Sequence, residues 1–120
     1  MATTKMNKRV KRLWLKALRS GKFEQQQSAL RVIEDGKVIG YCCLGVLCEV
    51  YHRSTKQGKW TYSTFSVNGS ESMSQLPDPV CAWAGVDDRN PKLGRTKSAI
   101  SLNDEGKSFS FIADRIEKYL

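Results

Sequence analysis

Three observations predict an α+β domain, with about three helices covering a small antiparallel sheet made of a hairpin and one or two further strands. Helical amphipathic periodicity marks both ends of the chain, an Asp-Gly pair sits between β-branched residues near position 35, and residues alternate from Trp60 onward. With 120 residues there is room for one domain, 1–120, and one modest core, and an apolar share of 40% argues against disorder.

The first element is a helix over about residues 4–20. In helical projection Met6, Val10, Leu13, Trp14, Ala17 and Leu18 share one arc, while Lys5, Lys8, Arg9, Arg12, Lys16 and Arg19 share the opposite one. Thr3 or Thr4 can cap its start, and Gly21 supplies the left-handed residue that stops it. Residues 22–28 form a polar loop. Leu30, Val32, Val38 and Ile39 then bracket Asp35-Gly36, a turn pair that accepts positive φ and so predicts a hairpin.

Residues 41–52 read as a second helix, with Cys43, Leu44, Leu47, Val50 and Tyr51 on its core arc. Gly45 falls on the other side, where a glycine costs about 1 kcal/mol against alanine and implies a close approach to the backbone. Another protein segment is the commoner cause; a ligand or partner subunit is the functional one. Residues 60–67 alternate as one strand that ends at the Asn68-Gly69 turn, followed by a Ser-rich loop.

Asp78 caps and Pro79 opens a short helix, 80–84, that Gly85 closes and Trp83 anchors. A loop follows over 87–97, then a short strand over 99–102. Ser108 caps the last helix, 108–119, whose core face is Phe109, Ile112, Ala113, Ile116 and Leu120. Phe111 points away from that face. It is either tucked under the preceding loop or offered to a partner.

The formal net charge of +8 resides entirely in the first 22 residues, where eight cations face no acid; the rest of the chain is balanced. Charge segregated in this way suits a polyanionic partner, although a basic face can also be merely solvated. A membrane-surface helix fits the pattern less well, because the apolar arc carries a single aromatic and is sized for a core. No apolar stretch long enough to span a bilayer is present, and the first twenty residues lack the apolar middle of a secretion signal, so a cytoplasmic protein is expected. Four irregularly spaced cysteines fit reduced thiols in that compartment.

Catalytic machinery is hard to assemble from this composition. Cys48 and the single histidine, His52, lie four residues apart on one helix edge, but no third residue orients them for nucleophilic attack. Cys42, Cys48, His52 and Cys81 could hold zinc, yet they lack the close Cys-x-x-Cys pairs that pre-order ligands. Buried thiols acting as small apolar residues explain the cysteines more simply, so no metal, cofactor or enzymatic activity is expected. Asn103-Asp104, between the short strand and the last helix, is read first as a turn that caps this helix and second as a hydrogen-bonding pair for a nucleotide.

Four strings occur in order along the chain. They are Ala17-Leu18-Arg19-Ser20-Gly21-Lys22-Phe23, Tyr41-Cys42-Cys43-Leu44-Gly45-Val46-Leu47-Cys48, the segment from Leu76-Pro77 to Trp83-Ala84-Gly85, and Leu102-Asn103-Asp104-Glu105-Gly106-Lys107-Ser108-Phe109 running on to Ile112-Ala113-Asp114. Together they resemble a family of small, uncharacterised phage and prophage proteins over nearly the whole chain. The sequence departs from that pattern near residues 25–29, where relatives tend to carry glycines, and its basic start is heavier.

The resemblance implies action by binding in the cytoplasm of a host bacterium: occupying a host enzyme, coating nucleic acid, or sequestering a nucleotide immune signal as a counter-defence protein. Phosphates want Arg or Lys and bases want an aromatic plane. The leading expectation is therefore a non-enzymatic nucleotide binder that builds its pocket as a homo-oligomer. Arg19, Lys22 and Arg31 would hold phosphate, Phe23 or Trp60 would stack, and Asn103 with Asp104 would hydrogen-bond. The alternatives are DNA or RNA binding through Lys8, Arg9, Arg12, Lys16 and Arg19, and docking of the basic face on an acidic host protein.

Overall fold

The basic amphipathic segment forms α1 (Lys8–Arg19) in a computed structural model that describes residues 5–120. It starts later than the periodicity implies. Asn7 is the cap, its Oδ1 accepting from the Val10 N–H at 3.0 Å, and an asparagine there stops the helix from extending backward. The expected Thr3 or Thr4 cap lies outside the described residues. Val10, Trp14 and Leu18 are buried along one stripe, and the Trp14 indole N–H donates to the Cys43 carbonyl at 3.0 Å.

The Asp-Gly turn forms as expected between β1 (Arg31–Glu34) and β2 (Lys37–Tyr41), with Asp35 and Gly36 at φ 51° and 77°. The chain then enters α2 (Cys43–Thr55), which runs through the core with residues 43–48 all buried. Gly45 is explained here. A Cβ at this position would overlap the Leu30 carbonyl oxygen, so a protein segment makes the close approach and no ligand is needed. That same carbonyl accepts from the Cys42 N–H at 3.2 Å.

Residues 60–67, expected as one strand, are two. β3 (Lys59–Thr61) turns at Tyr62, φ 53°, into β4 (Thr64–Val67), and Asn68-Gly69 turns again into β5 (Ser70–Ser72), where a loop was expected. A two-residue turn changes the parity of the alternation: Trp60 pairs directly with Phe65, so both lie on one face of the sheet instead of opposite faces. The result is two small antiparallel sheets, β1-β2 and β3-β4-β5, in place of one.

α3 (Asp78–Ala84) and its left-handed Gly85 end form where expected, but Asp78 makes no cap. It lies inside the first turn, and its carboxylate accepts from Arg89 Nε and Nη2 at 2.8 and 2.9 Å. The expected strand at 99–102 is a helix, α4 (Ala99–Asp104). Ser98 Oγ caps the Ser101 N–H at 3.2 Å and Asn90 Oδ1 takes the Ile100 N–H at 3.0 Å, which satisfies amides that the first turn of a helix leaves without partners. α5 (Phe109–Tyr119) carries the Ser108 cap and the expected buried face. The α+β class therefore holds, with five helices instead of about three.

Asn103 joins these pieces. Fully buried at the end of α4, it accepts at Oδ1 from the Cys43 N–H, 3.2 Å, and from Gln25 Nε2, 3.0 Å, while its Nδ2 donates to the Gln26 carbonyl at 2.7 Å. It does not cap α5. Asn103→Ala leaves the Cys43 N–H and the Gln26 carbonyl without partners, and should cost about 3 kcal/mol in a urea unfolding titration. Gly45→Ala, which forces a methyl group onto a backbone carbonyl, should cost at least about 1–3 kcal/mol in the same assay.

Candidate functional site

Two surfaces collect the residues to which the sequence points. On the outer face of α1, Lys8, Arg9, Arg12 and Lys16 are all exposed, and none is ion-paired among the described residues. Arg19, on the same arc, differs. Its Nη2 lies 2.8 Å from both Asp114 Oδ1 and Glu117 Oε1 of α5, and the Glu117 and Asp114 carboxylates raise its pKa above the ordinary arginine value. Lys11 Nζ donates to the Glu117 carbonyl at 3.0 Å. Where α1 meets the end of α5, Lys5, Lys8, Lys11 and Lys118 line a groove of about 380 Å³ together with Met6, Glu117 and Tyr119.

The second surface is a row of rings beside α2. Phe23 and Tyr41 meet edge to face at 5.4 Å, and Tyr41 meets Trp60 at 6.0 Å. A guanidinium covers each end of the row, Arg53 at 5.2 Å from the Phe23 ring and Arg31 at 4.7 Å from Trp60. Glu49 holds the assembly together. Largely buried at 12% side-chain exposure, it accepts from Trp60 Nε1 at 2.9 Å and from Arg53 Nε at 2.7 Å. Burial and then the Glu49 charge push the Tyr41 hydroxyl above its usual pKa, so it stays neutral.

The seven residues expected to share a pocket are thus divided. Phe23, Arg31 and Trp60 are gathered around Tyr41 and its neighbours, and Lys22 is exposed next to Phe23 in the chain. Arg19 is taken by α5, and both polar ends of the buried Asn103 amide are spent inside the fold. Asn103 and Asp104 both line a separate cavity of about 90 Å³, with Ser28, Cys42, Ser74 and Ile100, well below the roughly 300 Å³ from which ligand pockets begin. Tyr41, Glu49 and Arg53 escaped the sequence reading. The four-residue spacing of Glu49 and Arg53 on a helix was the available signal.

Cys48 and His52 do not form a dyad. Cys48 is fully buried, and His52 Nδ1 lies 2.9 Å from the Gln57 carbonyl, which makes it the protonated nitrogen. Among the described residues no three His, Cys, Asp or Glu side chains gather as a metal site, and no helix is long and apolar enough to cross a membrane. All four cysteines are free and buried. Burial raises Cys42 and Cys81 to about 11 and lifts Cys43 and Cys48 well above the usual thiol range, so near neutral pH the thiolate is scarce. A thiol-exchange reagent at neutral pH should therefore label the native protein slowly and all four cysteines once denaturant is added. Labelling of any one at the rate of a free thiol would contradict this burial.

No curated protein and no solved structure matches the chain. A family model described as a domain of unknown function, DUF8296, matches residues 6–120, which takes in α1, both sheets and the ring row, and the chain belongs to that family.

Proposed function

We propose that the protein binds nucleic acid through the outer face of α1, as a binding protein without chemistry of its own. The observation that carries this reading is the set of unpaired cations Lys8, Arg9, Arg12 and Lys16. Lys8, Arg12 and Lys16 recur at four-residue intervals and span about 12 Å of helix. Two of the four cations, Lys8 and Arg9, occupy the first turn, which holds no acid. That is the positive end of the helix dipole, where cations destabilise the helix. Stability does not account for their position; phosphate does, because each contact releases condensed counterions.

The pocket reading has less support. A phosphate-bearing mononucleotide needs an enclosed site, and the Phe23-Tyr41-Trp60 rings are partly buried, packed on the core and edge to face with one another. The elevated thiols and the engaged His52 nitrogen favour binding over nucleophilic catalysis.

Fluorescence anisotropy with a labelled DNA duplex tests the proposal. If the four cations each meet a phosphate, log affinity should fall against log salt with a slope of about −3.6. The triple change Arg9→Glu, Arg12→Glu, Lys16→Glu should weaken binding on the order of a hundredfold or more at low salt. Arg19→Ala should matter least, since its guanidinium is already held by Asp114 and Glu117. Salt-independent binding by the wild type, or no binding to duplex and single strand alike, would defeat the proposal.

A further inference from the structure

α5 carries a second feature that the α1 face does not use. Phe111, Arg115 and Tyr119 follow one another at four-residue intervals, so they form a single stripe with its two rings about 12 Å apart along the axis. Both rings are open to solvent, Phe111 at 40% and Tyr119 at 41%. Phe111 is therefore not tucked beneath the preceding loop. Arg115 lies between them, 6.0 Å from the Phe111 centroid and 5.0 Å from that of Tyr119, and its Nε donates to the Leu93 carbonyl at 2.9 Å, which pins the guanidinium in place. Lys107 Nζ stands 5.2 Å from Phe111, and Lys118 Nζ 5.4 Å from Tyr119.

Each ring is thus flanked by two cations, and none of Lys107, Arg115 and Lys118 is ion-paired among the described residues. The nearby acids Asp114 and Glu117 are both engaged by Arg19. Exposed cation–π contacts contribute less than full burial of a ring such as Phe111, so self-stabilisation does not explain leaving it partly exposed. Lys118 and Tyr119 also line the groove with Lys5, Lys8 and Lys11, and the stripe is continuous with the α1 face through it.

We infer that the Phe111-Arg115-Tyr119 stripe is a stacking platform for the unpaired bases of a single-stranded nucleic acid, whose phosphates run along Lys107, Lys118 and the lysine groove. Aromatic planes accept any base, and the flanking cations meet the backbone between them. A duplex keeps its bases stacked inside and can use only the charges. The inference rests on the nucleic-acid reading above and narrows the substrate to strands with accessible bases.

Anisotropy with a labelled oligothymidylate and with a duplex of similar length separates the two readings. Phe111→Ala with Tyr119→Ala, both at exposed positions, should lower oligothymidylate affinity at least about tenfold, from base stacking of about 1–3 kcal/mol per ring, and leave duplex affinity within about twofold. Phe111→Trp with Tyr119→Trp should restore it. Unchanged oligothymidylate binding in the alanine variant, or an equal fall on both probes, overturns the platform. So does displacement of oligothymidylate by polyglutamate as readily as by unlabelled oligothymidylate, which would make the stripe a charge surface for acidic protein. Wild-type protein that binds duplex and not the single strand overturns the platform alone; protein that binds neither overturns both readings.

Discussion

The Asn103 amide is the interaction on which the arrangement of this domain depends. One side chain, sealed from water, joins α4 to the first amide of α2 and to the Gln25-Gln26 segment that leads into β1. The same end of α2 receives the Trp14 indole on the Cys43 carbonyl and the Leu30 carbonyl on the Cys42 N–H. Three elements distant in sequence are thereby brought to one helix terminus. Among the described residues no buried side-chain polar atom lacks a partner, so this polar junction stabilises the core instead of straining it.

Given that junction, the packing of α1 against α5 sorts the basic helix into two populations. Asp114 and Glu117 draw in Arg19, and the Glu117 carbonyl takes Lys11, while Lys8, Arg9, Arg12 and Lys16 stay in water. The Arg19 pairs are exposed and contribute about 0–1 kcal/mol to stability, so their main effect is on where free charge remains. A helix that reads as uniformly basic becomes a surface on which Arg19 is paired and Lys8, Arg9, Arg12 and Lys16 are free. From Lys8 the lysine groove leads to Tyr119 of α5.

Much of the local structure was legible in the residues. The apolar stripe of α1, the Asp35-Gly36 turn, the Gly85 stop and the Ser108 cap are all read from spacing and side-chain chemistry acting over a few positions, and all are present. The misreadings share one cause. Residues 60–67 alternate whether they form one strand or a hairpin, 70–72 are polar in either state, and 99–102 are too short for periodicity to separate helix from strand. In the candidate site, Phe23, Arg31 and Trp60 could be named but Glu49, which accepts from Trp60 and Arg53, could not, because it reaches Trp60 from a different element.

By itself, the sequence determined the α+β class, the charge segregation and the amphipathic faces, since each follows from residue order along a helix or across a turn. Only the tertiary structure decided which cations stay free, that Asn103 turns inward, and that Phe111 stays in water. Those outcomes depend on which distant groups come within a few ångströms of one another, a quantity set by how the elements pack and carried by no local pattern.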